Sequence, residues 1–374
     1  MPDDDLLSLL VPAAPTRALT LLVPGGLTRC SGRYRYDRQI VQGLRALGWT
    51  VGVTMVNASF PAPTPEALDE VDRILAAQRD NALVMVDGLV LGAIPEQVER
   101  VAHRMTIVGL VHHLLAAETG LEPEEAAVIA EREGQALRAA SGHIAPSFGI
   151  ARAIVACGVP RDQVAVVIPG TDPAPRAEGS RSRPGARRST PVELVCVGSL
   201  IPRKGHDVLL DAVAELRLLP WHLTCVGSDI VAPDYVTSLR EQIEISGLAD
   251  QVTLAGELDD PKLEHAFQHA DVFVLATQHE GYGMAVAEAL RRGIPVVSTM
   301  AGAIPELVGF DGGSVVPIAD ADAFAAALEP IVGDHARRAE VAAGALAQGT
   351  ALPLWSDAAS AASDAIARFA ETRR

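Results

Sequence analysis

The second half of the chain alternates short apolar segments with amphipathic segments, and this alternation restricts the possible fold more than any other feature. The apolar segments are VELVCVG (192–198), HLTCVG (222–227), QVTLAG (251–256), DVFVLA (271–276) and IPVVST (294–299). Helical patterns at 206–219 and 234–247 separate the first three of them. Continuous apolar segments joined by helices are typical of strands buried on both faces of a parallel sheet. The pattern therefore predicts a doubly wound α/β domain, in which ligands bind at the carboxyl ends of the strands.

The first half repeats this pattern more loosely, which predicts a second α/β domain. Its apolar segments are ALTLLVP, TVGVTMV, ALVMVDG, MTIVGLV, GHIAPS and QVAVVIPG. Residues 173–191 are rich in Pro, Gly, Ser and Arg, so we expect an exposed linker between domains at 1–172 and 192–355. Residues 356–374 are predicted to form a helix with Ser356 at its N-cap. Whether this helix packs on its own domain or crosses back to the first is left open.

Charge and cysteine content disfavour several functional classes. The chain has 31 Lys and Arg against 47 Asp and Glu, a formal net charge of −16, which disfavours nucleic-acid binding and broad adhesion to anionic lipid. Cys30, Cys157, Cys196 and Cys225 lack metal-like spacing and are predicted to be thiols buried in a reducing compartment. The amino-terminal residues lack the basic region of a secretory signal, and no apolar run approaches the roughly 18 residues of a membrane span. We therefore expect a cytoplasmic protein without a transmembrane segment; peripheral membrane contact is left open.

Two glutamates eight residues apart occupy the segment HEGYGMAVAEALRRGIPVV. Glu280 lies in a glycine-containing turn after an apolar strand, and Glu288 lies inside the helix that this turn opens. The N–H groups and positive dipole end of such a helix suit a phosphate. Glu288 has apolar neighbours, so its carboxylate needs a partner. The alternative is a surface ion pair with Arg291 or Arg292.

A second charged loop, GSLIPRKGHDVLL, follows the first strand of the second half. Arg203 and Lys204 directly precede a helix, and two cations beside a helix N-terminus suit a diphosphate. The alternative is two charges in an exposed loop. The loop is not a P-loop, and no G-x-G-x-x-G follows the first strand of either half, which disfavours a dehydrogenase.

Taken together, the PRKG sequence, the spacing of the two glutamates and the GYG turn resemble the retaining glycosyltransferases of family 4. The resemblance implies the GT-B fold, two facing Rossmann-like doubly wound domains. It implies a nucleotide-diphosphate-sugar donor, such as a UDP- or GDP-sugar, bound mainly by the second half, and a small-molecule or glycan acceptor entering from the first. It further implies a metal-independent front-face transfer of a hexosyl group without a cofactor, in which the donor β-phosphate helps to take the acceptor proton.

The resemblance also implies roles for individual residues of the second half. Lys204 matches the lysine that binds the diphosphate, Glu280 the residue that holds hydroxyls of the donor sugar, and Glu288 the carboxylate that binds the ribose. The loop facing the sugar and the phosphates comprises Gly281, Tyr282, Gly283 and Met284. The nucleotide base is expected to contact Gly256, Glu257 and Leu258. Ser199 stands where the family usually has an arginine, and we expect Arg203 to supply the missing charge.

In the first half, the segment VGLVHHLLAAETG places two histidines after a strand. His112 matches the family's active-site histidine best, with His113 and a histidine hydrogen-bonded in the core as the alternatives. Gly32 matches the first glycine of a loop that meets donor phosphate and acceptor, and Arg33 replaces a second glycine. The predicted catalytic residues are thus His112, Lys204, Arg203 and Glu280.

Other polar patterns are predicted to be structural. His265 and His269 are four residues apart, but a helix surface explains them better than a metal site because no third ligand is near. Asp259, Asp260 and Pro261 are typical of a helix cap. The remaining functional alternatives are a phosphorylase or sugar-nucleotide epimerase of the same architecture, or a non-enzymatic two-lobed sugar-binding protein.

Overall fold

The computed structural model describes residues 17–26, 32–118, 120–180 and 190–372, without the side chains of residues 32 and 33. The chain divides into two compact units. Unit 1 consists of Met1–Ala145, Ala151–Val167 and Ser356–Arg374, and unit 2 consists of Pro146–Ile150 and Ile168–Trp355. Among the helices described, none has both the length and the apolar character needed to cross a membrane.

Unit 1 contains a six-stranded parallel sheet in the order β2-β1-β3-β4-β5-β6. The strands are β1 (Ala18–Pro24), β2 (Thr50–Val56), β3 (Leu83–Asp87), β4 (Thr106–Leu110), β5 (Gly142–Ala145) and β6 (Val164–Val166). The helices of this half are α1 (Gly32–Ala46), α2 (Pro65–Ala76), α3 (Gly88–Leu91), α4 (Pro95–Val101), α5 (Pro123–Ala139) and α6 (Phe148–Ala156). Every residue of β4 is buried, as expected for a strand covered on both faces.

Unit 2 contains a second six-stranded parallel sheet, in the order β12-β11-β10-β7-β8-β9. Its strands are β7 (Val192–Val197), β8 (Trp221–Val226), β9 (Val252–Gly256), β10 (Val272–Leu275), β11 (Val296–Thr299) and β12 (Gly313–Val316). Its helices are α7 (His206–Glu215), α8 (Pro233–Ile245), α9 (Asp260–His269), α10 (Met284–Arg291), α11 (Ile304–Val308), α12 (Ala321–Gly333) and α13 (His335–Ala351). The predicted strands of both halves are confirmed. The pattern missed β12, a four-residue strand that begins with a glycine.

The sheet order of unit 2 places two separate loops side by side. The chain runs from β7 to β8 and β9 on one side of β7, and then returns to form β10 on the other side. The loops after β7 and β10 therefore leave the same carboxyl edge from neighbouring strands, which is the usual ligand position in such sheets. These loops carry Lys204 and Glu280.

The carboxyl-terminal helix α14 (Trp355–Thr372) belongs to unit 1, which settles the question that the sequence leaves open. Its Ser363 Oγ accepts a hydrogen bond of 3.0 Å from Trp49 Nε1. Its Phe369 ring packs directly against Gly142, where an added Cβ would lie only 2.5 Å from Phe369 Cγ. The prediction of Ser356 as the N-cap is wrong, because the helix already begins at Trp355.

The predicted linker at 173–191 is also wrong in part. The longer segment of unit 2 begins at Ile168, and in it the Thr171 N–H donates to the Pro353 carbonyl. The Ala177 N–H donates to the Arg292 carbonyl, and Ser180 is buried. Residues up to 180 are thus packed on unit 2, while 181–189 lie outside the described residues.

The described cysteines are free thiols. Cys196 and Cys225 are buried, as predicted, whereas Cys157 is half-buried. Cys30 lies outside the described residues.

Candidate active site

An ion pair joins the two charged loops of unit 2. Lys204 Nζ donates a hydrogen bond to Glu280 Oε1, and the two side chains are only 16% and 11% exposed. Separate motifs predicted these two residues, and the neighbouring positions of β7 and β10 bring them together. The interpretation of Lys204 as a charge in an exposed loop is wrong, because its ammonium group is largely enclosed and bonded.

Two glycines explain how the Lys204 loop fits against the sheet. A Cβ on Gly198 would lie 3.3 Å from Lys204 Cδ and Cε, so the lysine stem passes directly over this glycine. Gly205 has φ +64°, and a Cβ there would lie 2.1 Å from the Ala276 carbonyl oxygen. The glycine of PRKG therefore allows both a left-handed turn and a close approach to the end of β10.

Arg203 connects the same two loops. Its Nη1 donates to the His279 carbonyl at 2.8 Å, and its own carbonyl accepts the Gln278 N–H at 2.8 Å and the Thr277 Oγ1–H at 3.2 Å. These bonds anchor the segment directly before Glu280. Ser199 lies half-buried just beyond the carboxyl end of β7. That Arg203 supplies the charge missing at Ser199 stays a prediction.

The glycine turn after Glu280 opens helix α10 as predicted. Gly283 has φ +101° and precedes Met284, the first helical residue, so the first N–H groups of α10 have no partner within the helix. The side chain of Tyr282 belongs to the hydrophobic core of unit 2, and burial raises the pKa of its hydroxyl. Gly281 and Met284 are half-buried beside it. The turn therefore presents its backbone, and not the Tyr282 side chain, at the carboxyl edge of the sheet.

Glu288 is half-buried on α10, and the two arginines that follow it bind groups other than its carboxylate. The Arg291 guanidinium donates to the Leu352 carbonyl at 2.7 Å. That of Arg292 donates to the Glu264 carboxylate and, at 3.0 Å, to the backbone carbonyl of Glu288 itself. Both arginines thus stabilise the packing around α10. The ribose-binding role of Glu288 stays a prediction.

The segment predicted to line the base lies at the end of β9. Gly256 has φ +67°, and its carbonyl accepts the Gly227 N–H at 2.9 Å. Glu257 is exposed and Leu258 is half-buried. The segment leaves the same carboxyl edge as the Lys204 loop, with β8 between them.

In unit 1, the two histidines after β4 differ in their contacts. His112 Nε2 lies 2.8 Å from Asp37 Oδ1. His113 Nε2 instead lies 3.3 Å from Glu118 Oε2, closer to the surface. Gly32 is the first residue of α1, and the loop before it lies outside the described residues. His112 is therefore the one that belongs to a buried polar pair.

Sequence reasoning missed a buried glutamate that supports the histidine loop. Glu133 Oε1 accepts the Leu115 N–H at 2.8 Å, and Oε2 accepts the Ala116 N–H at 3.3 Å. Burial raises the pKa of Glu133, although these two N–H groups lower it. An acidic residue in the amphipathic pattern of α5 gives no sequence signal for such a contact.

In the described part of the chain, two groups of three side chains carry potential metal-binding atoms that lie within 4.8 Å of one another. One comprises Cys196, His206 and Cys225, which the register of β7 and β8 brings together despite their unremarkable sequence spacing. The Cys196 Sγ–His206 Nε2 distance is 3.7 Å, and the hydrogen bond with Cys225 and the neighbouring His206 lower the pKa of Cys196. The other group comprises Asp37, Asp87 and His112.

In the second group, His112 Nε2 and Asp37 Oδ1 are bonded to each other as a hydrogen-bonded pair. Neither His265 nor His269 belongs to a group of three potential ligands in the described residues. Their rings pack with centroids 4.1 Å apart on α9. Asp259 caps this helix by accepting the Lys262 N–H, as predicted.

Part of the second half of the chain matches a known protein family. Residues 191–334 match the family model "Glycosyl transferases group 1". The chain is 31% identical over 267 residues to the D-inositol 3-phosphate glycosyltransferase of Kineococcus radiotolerans, covering 64% of this chain and 60% of that protein. It is 35% identical over 167 residues to a GDP-mannose-dependent phosphatidylinositol monomannoside mannosyltransferase of Mycobacterium tuberculosis, covering 40% of this chain and 41% of that protein. The chain thus matches 60% or less of the length of these curated relatives.

Solved structures show the same fold. The sucrose-phosphate synthase of Thermosynechococcus elongatus aligns with a TM-score of 0.77 at 20% identity, over 92% of this chain and 96% of that chain. The Anabaena protein HepE in complex with UDP and glucose aligns with a TM-score of 0.72 at 18% identity, over 94% and 99%. The predicted GT-B class and the resemblance to glycosyltransferases are confirmed.

Removing one partner of the Lys204–Glu280 pair should destabilise unit 2, because it leaves the other charge enclosed without compensation. We expect Lys204→Met and Glu280→Gln each to lower the free energy of unfolding by about 1–3 kcal/mol. In the double variant the two losses should not add, with a coupling energy of roughly 0.5–3 kcal/mol. Urea unfolding followed by tryptophan fluorescence measures all four proteins.

The matched control is Lys262→Met, which breaks the exposed pair with Asp259, whose side chains are 70% and 57% exposed. It should change stability by less than about 1 kcal/mol. Additive losses at Lys204 and Glu280 would mean that the two charges do not depend on each other.

Proposed function

We propose that this protein is a retaining, metal-independent glycosyltransferase that moves a hexosyl group from a nucleotide-diphosphate sugar to a hydroxyl acceptor. The observation that carries the proposal is the enclosed Lys204–Glu280 pair at the carboxyl edge of unit 2, within a Glycosyl transferases group 1 domain. A folding role alone gives a weak reason for enclosing a charge pair, since apolar side chains of similar size fill such a space at least as well. A ligand that binds to both charged side chains would give a stronger reason for enclosing the pair.

The pair offers complementary chemistry for the two parts of a donor. The Lys204 ammonium suits the diphosphate, and the first N–H groups of α7 and α10 add partial positive charge at the same edge. The Glu280 carboxylate accepts hydrogen bonds from sugar hydroxyls. In the proposed reaction, the diphosphate replaces Glu280 as the ion-pair partner of Lys204. The Glu280 carboxylate then accepts hydrogen bonds from the sugar hydroxyls. The protein then contributes positioning and stabilisation of the leaving group.

Retention is proposed through attack on the face from which the diphosphate leaves. The donor carbon–oxygen bond breaks, the acceptor hydroxyl oxygen bonds to the same face of the sugar, and a β-phosphate oxygen takes the acceptor proton. A double displacement would instead need a carboxylate nucleophile beside the reacting carbon. In the structure, the predicted sugar-holding carboxylate, Glu280, is bonded to Lys204, which favours a binding role for it.

The comparisons support a nucleotide-sugar donor but leave its identity open. The named relative from Mycobacterium tuberculosis depends on GDP-mannose, whereas the Anabaena structure contains UDP and glucose. The relative from Kineococcus radiotolerans is named for D-inositol 3-phosphate. A small polyhydroxylated acceptor or a glycan is consistent with these names. We propose a cytoplasmic site of action, where nucleotide sugars are available.

The direct test is an assay of the purified protein with UDP- and GDP-sugars and a panel of polyol and glycan acceptors. We expect release of free nucleoside diphosphate that depends on one donor and one acceptor class and that persists in excess EDTA. The product should carry the anomeric configuration of the donor, as measured by proton NMR. Inverted product, or activity that EDTA abolishes and magnesium restores, would contradict the proposed mechanism. Binding of a sugar without turnover of any donor would favour a sugar-binding protein.

We expect substitution of Glu288 and of Glu280 to change different kinetic parameters. Glu288, if it binds ribose, makes nearly the same contact before and during transfer, so Glu288→Gln should mainly raise the donor KM and weaken binding of free nucleoside diphosphate. Glu280, if it holds the sugar, contacts the group whose charge and shape change. Glu280→Gln should therefore lower kcat by about 10- to 150-fold, the loss of one charged hydrogen bond.

The matched control is Glu329→Gln, a change of an exposed glutamate on α12. It should leave kcat, KM and nucleotide affinity at wild-type values. Undiminished nucleotide affinity in Glu288→Gln would remove the ribose assignment. A folded Glu280→Gln variant with wild-type kcat would remove the sugar assignment.

A further inference from the structure

The hydrogen bond between Asp37 and His112 in unit 1 is buried and directional. Asp37 lies on α1 and is fully buried, whereas His112 lies just beyond β4 with its side chain 12% exposed. The Oδ1–Nε2 distance of 2.8 Å is that of a strong charge-assisted hydrogen bond. Within the described residues, His112 is the one ion-pair partner of Asp37. The carboxylate of Asp37 therefore depends on this imidazole.

The orientation of the imidazole is set from a second side by Tyr36. The rings of Tyr36 and His112 meet edge to face, with centroids 5.3 Å apart and an interplanar angle of 88°. Tyr36 is itself held, because its hydroxyl donates to the Val167 carbonyl at 2.9 Å. Adjacent residues of α1 thus bind one ring nitrogen and restrict the ring plane. Such double support is typical of a side chain whose position is functional.

The bond also determines which nitrogen carries the proton. An ionised carboxylate can only accept, so Nε2 of a neutral His112 must be the donor and Nδ1 the bare acceptor. Asp87 on β3 is the other carboxylate near this pair, and His113 and Glu118 are the ionisable groups on the histidine's own loop. In the described part of the chain, Nδ1 of His112 has no hydrogen-bond partner. It can therefore accept a hydrogen bond from a hydroxyl group.

We propose that Asp37 is a positioning residue that holds His112 with its proton on Nε2, so that Nδ1 accepts a hydrogen bond from a hydroxyl group of a sugar substrate. The substrate part of this inference rests on the proposed function; the tautomer part does not. Replacing the carboxylate by an amide should reverse the arrangement. In the Asp37→Asn variant, we expect the side-chain amide N–H to donate to Nε2 of His112 and the ring proton to move to Nδ1, where it blocks the acceptor.

The test is a long-range proton–nitrogen NMR correlation on the full chain with ¹⁵N-labelled histidine. The His112 signals are identified as those missing from His112→Gln. In the wild type at a pH where His112 is neutral, we expect a protonated Nε2 and a bare Nδ1. In Asp37→Asn, we expect the protonated nitrogen to be Nδ1. The control Asp80→Asn removes an exposed aspartate that pairs with Arg104 and should leave the His112 signals unchanged.

Enzyme kinetics provide the second test of the proposal. In Asp37→Asn, kcat should fall by about 10- to 150-fold, the loss of a charge-assisted hydrogen bond, while affinity for free nucleoside diphosphate stays at the wild-type value. A purely structural role would instead reduce stability and leave kcat of the folded fraction unchanged, which would overturn the proposal. A bare Nε2 in the wild type would overturn it as well, even if Asp37→Asn does not fold. If no donor is turned over by the wild type, the proposed function fails, and the spectrum still decides the tautomer.

Discussion

The enclosed ion pair between Lys204 and Glu280 is the interaction on which the geometry of the candidate site in unit 2 depends. Each charge is stable in its position only because the other is there, since the protein and not water surrounds most of both side chains. The pair also joins two loops that are 76 residues apart in the chain. Arg203 strengthens this junction through the His279 carbonyl. A donor whose diphosphate replaces Glu280 as the partner of Lys204 would therefore meet loops that are already in position.

Sheet order explains why these loops meet. Because β7 lies next to β10, its loop borders the Glu280 loop, and the Gly256 segment at the end of β9 lies beyond β8 on the other side. Gly205 allows the approach, since any side chain there would collide with the end of β10. Unit 1 uses a similar principle: α1 follows β1, and it brings Asp37 to a histidine that follows β4. In both units, the polar side chains come from loops or helices that follow parallel strands.

The elements formed by continuous local patterns could be predicted from the sequence. The strands buried on both faces, the glycine turn at Gly283 and the cap at Asp259 each depend on residues close together in the chain. The contacts between distant residues could not. Neither the bond of Lys204 with Glu280 nor that of Asp37 with His112 has a local signal, because sheet order and register decide which loops are neighbours. Ser180 shows the converse error, since a composition typical of a linker did not reveal packing on unit 2.

The most direct measurement of the central claim is the affinity of the protein for a nucleoside diphosphate and for the corresponding monophosphate, by calorimetry. We expect the wild type to prefer the diphosphate by at least about tenfold, because Lys204 and the helix N-termini would bind the second phosphate. In Lys204→Met, most of this preference should disappear while the monophosphate still binds. Equal affinity of the wild type for both nucleotides, or an unchanged preference in a folded Lys204→Met variant, would contradict the assignment of this edge as a diphosphate-sugar site.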